Sequence, residues 1–417
     1  MINKMQKNRT VNNTIMLYLL TIAKLIFPLL TLPYLTRVLT TDCYGVVSYV
    51  KSCMVYFQLF VDFGFLLSAV KDIVQAKDDK GEIGIIAGQT FLAKLLIVAA
   101  SAIVLVVLLF ALPILREYTL YTILYFIAVA VSALLAEFLF KGIEKMGFVT
   151  LVYVVMKGIS TALTFVLVKD DGSIIWIPIL EIIGNACAVL LTWGLIWKLK
   201  IRIKIVSFKR SFLMLKESAV YFISNFATTA FGALNTVLIG VFITSKTQIA
   251  YWSVCLQLIS AIQQLYSPII NGIYPQMIRE KRLSFIHKIM LIFMPIVIGG
   301  CIFSFFIAKP ALKIIAGEEY VNAFVLFRLL IPILLFSFPG MLYGWTTLGV
   351  IGKEKLTTLS TVITAIVQVI GLLSLALFRC FTVENVAILR CFTELLMMII
   401  RISLTYKNRN LFYDKLN

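Results

Sequence analysis

The sequence is short of almost everything a soluble enzyme uses. Of its 417 residues only 14% are charged, against roughly a quarter in a soluble domain. It holds a single histidine, His287, set in the basic stretch REKRLSFIHK, which argues against acyl transfer that relies on histidine. The seven cysteines, Cys43, Cys53, Cys187, Cys255, Cys301, Cys380 and Cys391, are odd in number and scattered, and no C-x-x-C occurs. They read as packing residues, not as disulfides or metal ligands. No phosphate-binding P-loop is present: GVIGKEK at 349–355 has the wrong glycine spacing. No H-E-x-x-H appears either. Nucleotide hydrolysis and metalloprotease chemistry are therefore excluded.

What the chain has in excess is hydrocarbon. It is 61% hydrophobic, its mean hydropathy is +0.99, and apolar runs long enough to cross a bilayer recur from end to end. They are too continuous for barrel strands, which alternate over about ten residues. The expected fold class is an all-α polytopic membrane protein of twelve transmembrane helices. The expected spans are 13–36, 44–70, 84–112, 118–140, 147–168, 173–197, 212–243, 249–276, 289–308, 322–348, 356–378 and 384–404. The start, MINKMQKNRTVNN, is short and basic with no cleavage site after it, so it reads as a retained cytoplasmic end and not a signal peptide.

The net charge of +18 would suggest nucleic acid in a soluble protein. Here it follows from the loops. Most Lys and Arg fall on one side, in the N-terminus, 71–83, 141–146, 198–211, 277–288, 349–355 and the C-terminus. The positive-inside rule then puts both termini in the cytoplasm, and no nucleic-acid partner is implied. The outer loops are short, which speaks against a polymerase with catalytic acids outside the membrane. The long basic connection KLKIRIKIVSFKR divides the chain into an N-lobe, 1–205, and a C-lobe, 206–417, each of six spans. Two such halves suit a transporter built of parallel repeats.

Charges lie inside the spans. Residues 51–72 read KSCMVYFQLFVDFGFLLSAVKD, with Lys51 and Asp62 eleven residues apart and so on nearly one helix face, about 16 Å apart along it. They cannot pair with each other. Lys24, Lys94, Lys157, Arg328 and Arg390 add cations; Glu137, Glu181 and Glu394 add acids. An ionised group facing lipid costs several kcal/mol, so these residues imply a polar interior with a cationic bias. Lys94 and Glu137 lie near span ends and can snorkel. Arg390 and Glu394 are four apart and can pair on one helix. Lys24, Lys51 and Lys157 lie deepest and read as ligand-facing. Asp62 is either a structural partner of a lysine or a coupling site. A low-dielectric cavity lined by Lys and Arg selects an anion, and phosphate is the obvious class. A pump for organic cations would need acids instead.

LPYLTRVLTTDCYGVVSYV followed by FVDFGFLLSAVKDI, FKGIEKMG at 140–147, LKESAVYFISNFATTAFGALNTVLIGVF and GEEYVNAFVLFRLL resemble, in order and spacing, the Wzx-type O-antigen flippases and related polysaccharide exporters. The Thr-Thr-Asp-Cys turn at 40–43 departs from relatives that carry Gly there. The resemblance implies a fold like multidrug and toxin exporters (MATE-like), two six-helix lobes around a central cavity, in the bacterial inner membrane. It implies a cargo of undecaprenyl-diphosphate-linked oligosaccharide, moved from the cytoplasmic to the periplasmic leaflet, with H⁺ or Na⁺ coupling and no other cofactor. Membrane lipids and the polymerase and chain-length proteins of the pathway would be its partners. Lys24, Lys51, Lys157, Arg328 and Arg390 would then hold the diphosphate, and Asp62 and Glu181 would couple the ion. The alternatives are a small-molecule antiporter on the same fold or a polysaccharide polymerase.

Overall fold

In hydrocarbon a backbone must satisfy its own N–H and C=O groups, and a helix does so within one segment. The computed structural model describes residues 2–76, 79–229 and 232–413. Lys77 and Asp78 of the expected loop 71–83 and the last four residues of the expected cytoplasmic tail lie outside the described residues. Helix is the dominant regular structure, and no strand occurs among the described residues.

The chain divides into two units, Met1–Phe226 and Ala227–Asn417. The first contains α1 (Ile2–Val38), α2 (Thr41–Asp62), α3 (Ser68–Gln75), α4 (Lys80–Ala111), α5 (Pro113–Glu117), α6 (Thr119–Ser132), α7 (Glu137–Gly142), α8 (Met146–Leu167), α9 (Trp176–Lys198) and most of α10 (Phe208–Thr229). The second contains α11 (Ala233–Phe242), α12 (Lys246–Gln264), α13 (Tyr266–Glu280), α14 (Leu283–Phe306), α15 (Ala308–Ala316), α16 (Phe324–Leu330), α17 (Pro332–Leu342), α18 (Glu354–Leu377) and α19 (Val383–Lys407). The sequence suggests a division at 205, in the basic connection; the contacts divide the chain later because α10 packs on the first unit. Arg210 pairs with Glu82 at 2.6 Å, the Ser68 and Ser218 hydroxyls lie 2.6 Å apart, and the Phe222 ring stacks on Phe63 at 4.6 Å.

Eight helices among the described residues are long and apolar enough to span a membrane, or nine if Glu318–Leu330 and Pro332–Gly349 form one span bent by 42°. The bend falls at Pro332, whose ring removes a backbone donor from the helix. The protein is thus a multi-pass membrane protein. The other three expected spans, 44–70, 212–243 (whose Ala230 and Phe231 lie outside the described residues) and 384–404, are helical over most of their described residues, but they are interrupted or carry the polar residues. Lipid-facing surfaces are plain: Ile103, Val104, Val107 and Phe110 of α4 are all more than half exposed, which only a hydrocarbon solvent makes favourable.

Local chemistry explains the ends. Asp79 caps α4, accepting from Gly81 N–H at 2.8 Å and Glu82 N–H at 3.2 Å. The turn at 40–43 needs no glycine, because Thr40 has φ of −60° and accepts from Cys43 N–H. Its own N–H and hydroxyl are held by the Asp171 carboxylate at 2.8 and 2.5 Å. In FKGIEKMG, Gly142 is pressed against the Ile73 side chain, where a Cβ would overlap. α2 ends at Phe63 and Gly64, both at positive φ, and Gly64 lets α10 approach to the point where an added Cβ would sit 2.7 Å from the Tyr221 Cβ.

Candidate functional site

The site grows from one stripe of α2. Lys51, Val55, Gln58 and Asp62 are spaced four, three and four residues apart, which places them on one helix face. Lys51 is exposed, while the next two polar groups are tied to neighbours. Ser132 of α6 donates to the Gln58 side-chain oxygen at 2.9 Å. The Gln58 amide donates to Asp62 at 3.0 Å. The other oxygen of Asp62 lies 3.4 Å from Nζ of Lys94 on α4, whose side chain is only 6% exposed. Lys94 therefore does not snorkel. It is buried against the Phe138 ring and paired with Asp62.

A second set of charges lies on α1, α7, α8 and α9. Lys157 Nζ donates to Glu181 Oε2 at 2.5 Å. Lys24 Nζ lies 4.0 Å from Glu137 Oε1 and 5.5 Å from the centre of the Tyr153 ring. Glu137 thus has a cation near it instead of reaching for the surface alone. These residues line a cavity of about 640 Å³ together with Asn185. A neighbouring cavity of about 440 Å³ is lined by Lys51, Gln58, Tyr125, Glu181 and Asn185. Glu181 and Asn185, one helical turn apart on α9, line both cavities. Asn185 is fixed by donating to the Ala128 carbonyl at 3.0 Å. Lys51 interacts electrostatically with both Lys157 and Glu181.

Charge is nearly balanced here. Lys24 faces Glu137 and Lys157 faces Glu181, and Lys51 makes no ion pair among the described residues. The broad cationic bias read from the sequence reduces in this unit to one surplus cation beside a lysine–glutamate pair. Such a group needs water or an anion against it, since lipid contact would cost several kcal/mol.

In the second unit the two expected arginines have local partners. Arg328 donates from Nε to the Phe305 carbonyl at 2.9 Å and lies over the Phe305 and Phe324 rings at 4.4 and 5.2 Å. Arg390 pairs with Glu394 at 2.6 Å, with side chains 10% and 4% exposed. Arg401, which the sequence reading passed over, is as deeply placed. It donates to the Gly340 carbonyl at 2.7 Å, the Ser360 hydroxyl at 3.0 Å and the Thr361 hydroxyl at 2.9 Å. A further buried chain links α11, α18 and α19: Thr393 donates to Gln368 at 2.7 Å, and Gln368 to Asn235 at 2.9 Å. The missed signal was spacing. Arg390, Glu394 and Arg401 lie at intervals of four and seven on α19, and Gln58 lies seven after Lys51 on α2. No group of three or more potential metal ligands occurs among the described residues.

A family profile described as "Polysaccharide biosynthesis protein" matches residues 10–281, well over half of the chain. The chain belongs to that polysaccharide biosynthesis family. Among relatives, the "Putative O-antigen transporter" of Escherichia coli (strain K12) is 26% identical over 356 residues, covering 82% of this chain and 83% of its own. Two solved structures share the fold. A multidrug resistance MATE family transporter in its inward-facing conformation superposes with a TM-score of 0.68, 12% identity and 94% of both chains covered. The lipid II flippase MurJ, in an inward closed conformation, gives 0.70, with 12% identity and 95% and 87% covered. This member of the polysaccharide biosynthesis family therefore has the MATE-like fold expected from the sequence, and the curated relative it resembles is named a transporter.

Proposed function

We propose that the chain moves a lipid-linked oligosaccharide, joined through a diphosphate to an undecaprenyl tail, from the cytoplasmic to the periplasmic leaflet of the bacterial inner membrane. The observation that carries this reading is Lys51, a surplus cation at a cavity wall beside the Lys157–Glu181 pair. The diphosphate docks at Lys51 and draws Lys157 toward itself, with Lys24 of the adjoining cavity as a further cation. The saccharide meets the polar and aromatic groups around Asn185, Tyr125 and Tyr153, while the polyprenyl tail stays in lipid. Arg328 and Arg390 act as local structural groups in this reading, since each already has its partner. Both termini lie in the cytoplasm, and the transfer proceeds by alternating access, each end state holding the cargo differently.

Ion coupling belongs at Glu181. It shares one proton acceptor between the two cavities, and a cargo anion on Lys157 leaves its carboxylate without a counter-charge, which favours uptake of H⁺ or Na⁺ there. Asp62, held by Lys94 and Gln58, is the weaker of the two coupling candidates. Polymerase and chain-length proteins of the pathway would receive the product.

The test is leaflet transfer of a diphosphate-linked lipid oligosaccharide in liposomes, for wild type and Lys51→Ala. A loss of roughly tenfold or more in the variant, at equal protein level, is expected from removing a charge-assisted contact of about 1.5–3 kcal/mol. Unchanged transfer in Lys51→Ala sinks the assignment of Lys51. Transfer equal to that of empty liposomes for the wild type sinks the flippase reading and favours a small-molecule antiporter.

A further inference from the structure

The connection between α9 and α10 is not a loose loop. Residues 201–207 run extended along the first turns of α4. The Lys204 N–H donates to the Gly84 carbonyl at 3.1 Å. Gly84 and Gly88, four apart, leave room for the backbone of Arg202 and Lys204, where any Cβ would collide. Ile201 and Ile203 turn inward onto the core that includes Ile83, Ile86 and Ile196. The buried Gln89 amide closes the end of the strap, donating to the Ser207 carbonyl at 2.8 Å and accepting from its N–H at 3.0 Å.

This seating fixes what faces outward. Lys198, Lys200, Arg202, Lys204 and Lys209 are all exposed, and no acid occurs between Trp197 and Lys209. Arg202 and Lys204 flank the inward Ile203, so in extended chain they lie about 7 Å apart along one edge, with Lys200 just before them in the turn that ends α9. Beside them stand large apolar side chains: Trp197 is 86% exposed, Ile205 60%, Val206 59% and Phe208 62%. The strap begins where α9 ends and lies against the first two turns of α4, at the level where spanning helices leave hydrocarbon. A row of cations over exposed apolar residues at that level matches one surface only: headgroup phosphates above and acyl chains below.

We infer that residues 197–209 form a rigid docking site for anionic phospholipid of the leaflet on that side. The cations hold several headgroup phosphates, and Trp197, Ile205, Val206 and Phe208 sit in the acyl boundary. The site differs from an ordinary polybasic loop because its spacing is set by the glycine seat on α4 and not by the lipid. It is independent of the cargo assignment above, which rests on Lys51.

The test uses the full chain in nanodiscs of phosphatidylcholine with or without phosphatidylglycerol. Native mass spectrometry reads the retained lipids, and thermal unfolding reads the shift that anionic lipid produces. The triple variant Lys200→Gln, Arg202→Gln, Lys204→Gln changes only exposed side chains. It is expected to lose at least about tenfold of the preference for phosphatidylglycerol over phosphatidylcholine, together with most of the anionic-lipid shift in Tm. The control Lys353→Gln, Lys355→Gln, in another basic connection, is expected to keep both. A triple variant that retains the wild-type preference overturns the proposal. So does a control that loses as much, which would make the effect one of net charge. If the triple variant keeps its phosphatidylglycerol response but loses retention of a diphosphate-linked lipid, the strap is a cargo site and the proposal is wrong.

Discussion

At the scale of single residues, position inside the membrane matters less than the partner found there. Lys94 and Lys51 both lie in apolar helices, yet Lys94 is closed off by Asp62 and Lys51 is left open to a cavity. The sequence read Lys94 as able to snorkel and Lys51 as ligand-facing; it could not show that Lys94 meets Asp62, because pairing depends on which helix comes alongside. It was right that Arg390 and Glu394, four apart, could meet on one helix, since that contact is local. It missed Arg401 and Gln58, whose partners lie on other helices. Asp72, outside the spans, is informative for pH. Burial and the Glu217 carboxylate raise its pKa from the ordinary aspartate value, against the pull of Lys71 and Arg210. A raised carboxylate favours the fold while protonated and loses that contribution as pH climbs through its folded value. Asp72→Asn is therefore expected to raise Tm at neutral pH and to confer no gain in acid below the ordinary carboxylate range. Thermal unfolding across pH checks both limbs.

At the scale of elements, the helices themselves were legible, because an apolar run of bilayer length has few alternatives. Their breaks were not. Residues 44–70 read as one span, but the helix stops at Phe63 and Gly64 and restarts at Ser68. The signal was a lone glycine in VDFGF, and what decides the break is α10, which presses Ser218, Tyr221 and Phe222 against it. An L-residue at φ of +78° costs about 1–2 kcal/mol in conformation alone, and a Cβ there would also overlap Tyr221. Gly64→Ala is therefore expected to destabilise the protein by at least about that amount, seen as a lower Tm in detergent; an unchanged Tm would mean that α10 does not clamp this break. The contacts group α10 with the first unit, whereas the sequence marks the division at the basic connection before it. Connection length and charge mark where a loop lies, whereas membership of a unit is set by packing.

At the scale of the whole molecule, orientation is the property most open to direct test. Of the seven cysteines only Cys380 is exposed, in the turn between α18 and α19. On the orientation expected from the distribution of Lys and Arg, that turn lies on the outer side. A membrane-impermeant maleimide is expected to label Cys380 in spheroplasts and not in sealed inside-out vesicles. The reverse pattern would invert the topology and, with it, the direction of transport.

If the cargo is the diphosphate diester proposed above, the near-balance of charge around the two cavities gives its transfer a voltage dependence of a particular sign. With Lys24 and Lys157 matched by Glu137 and Glu181, the empty site carries roughly the one charge of Lys51. Both phosphoryls of a diphosphate diester are ionised, so the loaded site turns net negative. Each elementary charge carried through 100 mV is worth about 2.3 kcal/mol, and a membrane that is negative inside pushes a negative site outward. Export would then draw on the electrical potential even without a pH difference. Transfer in liposomes clamped by valinomycin and potassium is expected to speed up when the side receiving cargo is made positive. Indifference to the clamp would mean that a cation travels with the cargo, one for each charge left over.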